Sequence, residues 1–214
     1  MRREFPLVIS ISRQLGSGGS ELGKNIANKL NFLFLDREIV RAAADKFGIL
    51  DEELVNNDEK INSVWKTLLH SLQYADLSYT PVPNLIVPND REIYEVEAGI
   101  ILKTASAKPV VIVGRGASYI LKDHPKHISI FLHADIEFRQ LRTQKMFNLS
   151  TTKALKLINE TDIARQRHLH KFTGQDMYDT RNYNLTIDTS IVGLDNAEKT
   201  IIQYIQLRDP SLLK

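Results

Sequence analysis

The chain has 214 residues, with 28 lysines and arginines against 26 aspartates and glutamates, and no cysteine. That length suits one α/β domain carrying an insertion or a lid, and it buries about 70–75 % of its unfolded surface without a disulfide or metal staple. The missing cysteine excludes a disulfide scaffold, a cysteine nucleophile and every thiolate metal site. A net charge of +2 gives no global argument for nucleic-acid or membrane binding. No window approaches the roughly 20 apolar residues of a membrane span. The charged opening MRREFP lacks the pattern of a signal peptide, so a soluble, reducing, cytoplasmic setting is expected.

Short β-rich runs alternate with longer helical patterns, which predicts βα units around a parallel sheet. Leu7 to Ser12 reads as the first strand and Phe32 to Leu35 as the second, just before Asp36. Pro109 to Val113 is almost wholly apolar and closed by Gly114, as a central parallel strand should be. Ile128 to Leu132 and Leu185 to Ile187 complete the strands. Helical patterns run from Ser20 to Leu30, Arg37 to Phe47, Glu92 to Ala107, Ile136 to Met146, Thr151 to Lys171 and Asn196 to Leu207. The interruption from Gly48 to Asp90 reads as helical turns and then a loop, because Pro81, Pro83 and Pro88 disfavour a helix or a central strand.

The turn after the first strand carries most of the chemistry. Gly16, Gly18 and Gly19 separate that strand from a helix with Leu22, Ile26, Ala27 and Leu30 on one face. Glycines let a backbone curl around an anion, and the helix start adds about half a positive charge. Gly16, Ser17, Gly18, Gly19 and Ser20 are therefore candidate phosphate-binding residues; the plain alternative is a tight βα turn. The dinucleotide fingerprint G-x-G-x-x-G needs a glycine where Glu21 stands, although Asp36 could mimic its ribose-binding acid. The pattern G-x-x-x-x-G-K-[ST] would put its first glycine at Arg13 and its lysine at Gly19. Motif grammar leaves a phosphate loop of open type.

The strings SRQLGSGGSELGKNIANKL, LNFLFLDREIV, VVIVGRGASYIL and YNLTIDTS resemble the cytidylate kinase-like family, a divergent branch of the P-loop nucleoside monophosphate kinases. The likeness covers nearly the whole chain in the right order. It implies a P-loop nucleoside triphosphate hydrolase fold: a three-layer α/β/α domain over residues 1–214 with a five-stranded parallel sheet. An acceptor-binding arm is expected at about 37–90 and a helical lid at about 139–180. The implied reaction moves the γ-phosphoryl of ATP, with Mg²⁺, onto a nucleoside monophosphate or a related small acceptor. Nucleic acid and membrane are not expected partners, and the oligomeric state stays open.

Phosphoryl transfer relies on positioning and charge neutralisation, so arginines should converge from several segments. With Gly19 at the lysine position, Arg13 is expected to carry the phosphate charge, in preference to Lys24 a turn into the helix. Ser20 is the candidate hydroxyl for Mg²⁺, with a helix cap as its plain alternative. By resemblance, Arg41 and less directly Arg37 hold the acceptor phosphate beside Asp36, which otherwise caps a helix. Arg115, in Gly114-Arg115-Gly116, would contact the acceptor, with Gly116 standing where cytidylate kinases have an acid. Arg139, Arg142, Arg165 and Arg167 are expected in the lid over the transferring group, or else on a solvated basic surface. Arg181 would reach the acceptor or anchor the last loop.

The histidines carry little. His168 and His170 are two apart on a helix and face different ways, a poor metal pair. His124, His127 and His133 have no ligand-spaced partner, and Trp65 and Tyr74 read as packing residues. The leading alternative is a catalytically weak nucleotide-binding or regulatory protein on the same fold, motivated by the absent lysine. A Rossmann dehydrogenase ranks behind it.

Overall fold

The computed structural model describes residues 5–36 and 90–210. The Arg37 to Phe47 helix, the insertion with Trp65 and Tyr74, and the candidate residues Arg37 and Arg41 lie outside the described residues. Five parallel strands form one sheet in the order β2-β3-β1-β4-β5. They are β1 (Val8–Arg13), β2 (Leu33–Leu35), β3 (Val110–Val113), β4 (His127–His133) and β5 (Leu185–Asp188). All five sequence-expected strands are present within a residue or two of the expected bounds. β1 lies in the middle, with Ile9 opposite Val111 on one side and Ile128 on the other.

Period-two alternation sorts the strand side chains to two faces. On one face Val8, Leu35, Val110 and Ile112 pack under α2 (Asp90–Ala107) and α3 (Ala117–Ile120), against Ile100, Ile101 and Leu121. On the other, Ile9, Ile11, Val111, Val113, Ile128 and Ile130 pack under α1 (Gly19–Leu30) and α7 (Leu194–Arg208). Every residue of β3 is buried, which is why that strand reads as an unbroken apolar run. α1 and α7 are further tied by Glu198, which pairs with Lys29 and accepts from Asn25 at 3.1 Å. Those contacts hold the Glu198 carboxyl below its ordinary pKa, the Lys29 contact most of all.

The chain leaves β4 through Asp135, whose carboxylate accepts from the Phe138 N–H at 2.7 Å and starts α4 (Ile136–Phe147). Asn148, in the left-handed conformation, ends α4, and α5 (Thr151–Thr173) packs back against it. Phe131, Leu169, Met177 and Tyr183 form a small cluster beneath α5. Burial pushes the Tyr183 phenol up to about 12, so it remains a neutral O–H that donates to the Met177 carbonyl at 2.9 Å. Two short helices, α3 and α6 (Thr189–Val192), fall outside the sequence-expected elements. Among the described residues no helix is long and apolar enough to cross a membrane.

Candidate functional site

Parallel strands put all their carboxyl ends at one edge, where such sheets bind ligands. There β1 gives way to the glycine loop, β3 to Gly114-Arg115-Gly116, β4 to α4 and β5 to α6. Gly16 to Gly19 are buried, and the loop is held from inside: the Ser17 hydroxyl donates to the Gln14 carbonyl at 2.9 Å. From outside, the Thr189 hydroxyl reaches the Ser17 carbonyl at 2.9 Å and the His133 carbonyl at 3.1 Å. Gly18 caps α1, so Ser20 sits exposed in its first turn and is not the cap. Lys24 is exposed.

At the carboxyl ends of β1 and β3 lies a cleft of about 440 Å³, lined among others by Arg13, Arg115, Arg165, Glu160, His168 and Met177, while Gly16 to Ser20 are not among its lining residues. Arg13 lines the cleft along the stretch from Gly19 to Gly114. A Cβ on Gly19 would come within 2.7 Å of its Cγ, and a Cβ on Gly114 within 2.0 Å of its Nη1. The stem of Arg13 thus fills the room that a side chain at position 19 would need, and the guanidinium runs on to Gly114 at the end of β3.

Arg115 has a left-handed backbone, φ 60°, and its guanidinium pairs with Glu97 of α2, only 3 % exposed. Arg165 lines the cleft from α5 and donates from Nη1 to the Arg13 carbonyl at 3.1 Å. These three arginines come together. Asp36 ends β2 half-buried at the same edge and is not among the cleft-lining residues.

Four expected site arginines are placed elsewhere. Arg139 is 8 % exposed and bonds Asp162 at 2.6 Å and the Ala134 carbonyl at 3.1 Å, so it lies inside the hairpin base and not over the cleft. Arg142 pairs with Glu21 in the first turn of α1 at 2.6 Å. Arg167 is exposed and absent from the cleft lining, on another face of α5 from Arg165 and His168. Arg181 is exposed and grips Asp179 with Nε and Nη2, the latter at 2.7 Å, which holds the Asp179 carboxyl below its usual range. Two buried acids, Glu97 and Asp162, were not singled out in the sequence, although Asp162 and Arg165 stand one helical turn apart.

The second acid–base cluster at this edge is small. The Asp188 carboxyl is held below its ordinary value chiefly by the Ser190 hydroxyl, and His133 Nδ1 lies 3.6 Å from it. Among the described residues no group of three or more His, Cys, Asp or Glu could hold a metal ion.

The sheet order, the glycine loop after the central strand and the helical hairpin at the same edge define an α/β domain of the P-loop kinase fold. Solved structures share it: shikimate kinase from Bacteroides thetaiotaomicron has a TM-score of 0.51 at 13 % identity, covering 94 % of this chain and 98 % of that one. A gluconokinase from Sinorhizobium meliloti has a TM-score of 0.51 at 17 % identity, covering 99 % and 98 %. An uncharacterized protein from Eubacterium ventriosum reaches 0.70 at 23 % identity, covering 94 % and 98 %.

The chain belongs to the cytidylate kinase-like family, whose model matches residues 8–191. Its relatives include cytidylate kinases from Sulfurisphaera tokodaii, 26 % identical over 93 % of this chain and 95 % of the relative, and from Pyrobaculum islandicum, 24 % identical over 93 % and 92 %.

Proposed function

We propose that the protein is an ATP-dependent phosphotransferase that moves the γ-phosphoryl of ATP onto a nucleoside monophosphate or a related small acceptor. The observation that carries this reading is the convergence of Arg13, Arg115 and Arg165 on one cleft at the end of β1, the strand that leads into the buried glycine loop. An acceptor oxygen attacks the γ-phosphorus, the bond to the β-bridging oxygen breaks, and ADP leaves with that electron pair. Charge on the equatorial oxygens needs fixed cations in a site that excludes water. Arg13 and Arg165 meet the donor phosphates from the loop and from α5, while Arg115 meets the acceptor.

Magnesium keeps several waters and binds through substrate phosphates with one or two protein oxygens. Ser20 fits that need with an exposed hydroxyl at the head of α1. When bound, the ion supplies neutralisation of the donor phosphates.

The direct test is a thermal-shift panel of ATP, GTP and the nucleoside monophosphates with and without Mg²⁺, followed by ADP-release assays on the hits. Stabilisation by ATP and acceptor-dependent ADP release are expected; no shift with any triphosphate would overturn the reading. Gly19 at the lysine position favours a second reading, a nucleotide-binding protein of weak activity. Stabilisation by ATP without ADP release on any acceptor would select it.

A further inference from the structure

The lid helix α5 touches the phosphate loop through its backbone. Asp162 Oδ1 accepts the Leu15 N–H at 2.8 Å. Its Oδ2 accepts from Arg139 Nη1 at 2.6 Å, and the same Nη1 reaches the Leu15 carbonyl at 3.4 Å. Asp162 and Arg139 are each 8 % exposed. One turn along α5, Arg165 takes the Arg13 carbonyl. Positions 162 and 165 of α5 thus meet the backbone at positions 15 and 13.

The fit is tight on the other side of the loop too. Gly16 has φ 84°, and a Cβ there would lie 2.6 Å from the Arg139 carbonyl oxygen. The start of α4 and the middle of α5 therefore clamp the loop exactly where its backbone must stay open to a phosphate.

We propose that Asp162 is a positioning residue of the phosphate loop: with Arg139 it fixes both peptide groups of Leu15, so that the lid hairpin and the loop form one unit. This rests on the reading of the loop as the donor-phosphate site. A buried ion pair does not by itself imply stability, since an apolar pair of similar volume often replaces it without loss. Its retained use here is geometric. Asp162 does not touch substrate; it sets the direction of the amides that do.

The test separates positioning from stability. In the double variant Asp162→Leu/Arg139→Met the buried pair goes together, so the melting temperature should fall much less than in Asp162→Leu alone, which leaves Arg139 buried without its acid. The Leu15 and Gly16 amides should exchange about tenfold faster by NMR, and Mg·ATP should bind about tenfold more weakly, as for the loss of a hydrogen bond to a charged group. The acceptor KM should not follow. Asp162→Asn, which keeps the shape but turns an uncharged amide toward Arg139, should move exchange and Mg·ATP affinity in the same direction. A folded variant with parental amide exchange and parental Mg·ATP affinity overturns the proposal. A parent that binds no Mg·ATP overturns the functional reading instead, and amide exchange alone then decides the clamp: faster exchange in the variants supports it and unchanged exchange overturns it.

Discussion

Arg13 and Gly19 share one space: the Arg13 Cβ and Cγ lie 2.8 and 2.7 Å from where a Cβ on Gly19 would stand. A side chain at 19 and the present course of Arg13 are mutually exclusive. In the proposed reading the phosphate cation comes from the end of β1 and not from the helix start, and arginine brings a planar, two-pronged donor in place of a point charge. Restoring the lysine by Gly19→Lys should therefore lower Mg·ATP affinity in the parent background. In Arg13→Ala the same change should be tolerated and should recover part of the activity lost in Arg13→Ala alone. Initial rates for the two single variants and the double variant form a cycle, and additive effects would show that the positions are independent. Full activity in Arg13→Ala would remove Arg13 from the phosphate site.

Arg115 and Glu97 form the second decisive pair. Removing only the arginine leaves a carboxylate buried without its counter-charge, which costs about 3–5 kcal/mol. Arg115→Met should destabilise strongly, and the pairing with Glu97→Leu should recover much of that stability. Activity should not return with it, because the acceptor's cation is still missing. Urea denaturation and acceptor-dependent turnover read the two quantities separately. A doubly substituted protein with parental turnover would place the acceptor elsewhere.

Arg181 makes the opposite prediction. Its guanidinium is 87 % exposed and taken up by Asp179 next to a 3-10 turn (Thr180–Asn182). Exposed pairs of this kind contribute little. Arg181→Ala should leave the acceptor KM and the melting temperature unchanged, and a raised KM with parental stability would restore Arg181 to the acceptor site.

These contrasts show which parts of the site a sequence can carry. β1 and β3 are legible because burial on both faces demands unbroken apolar runs, and the loop is legible because only glycines allow its path beside Arg13 and Arg139. α3 and α6 have four residues each, too short for any period to show. Asp162 meets the Leu15 N–H across 147 residues of sequence, and nothing local to either residue marks the other. Arg139 misleads for the same reason. An arginine on a helix after β4 reads as a cation facing a ligand until the acid that buries it is known. Arg115 escapes that ambiguity only in part, since its glycine-flanked position is visible and its Glu97 partner is not.

The amino end of the sheet supplies a prediction about pH. His127 opens β4 half-buried, and its Nε2 lies 2.8 Å from the Ser10 hydroxyl. Burial, with the nearby His124, lowers its pKa from 6.5 to about 4. The folded protein therefore holds a neutral ring while the unfolded chain takes up a proton below pH 6.5. Stability falls as the pH drops from about 6.5 toward 4, by roughly 3 kcal/mol for this group at most. Carboxylates such as Asp188 and Glu198, held low in the fold, add a loss that begins nearer their own unfolded values. His127→Gln keeps a polar partner for Ser10 and has no proton to gain. Urea midpoints at pH 7.5, 6, 5 and 4.5 should fall less steeply in His127→Gln than in the parent, with the difference opening between pH 6.5 and 5. Parallel curves over that interval would show that His127 titrates normally in the folded chain.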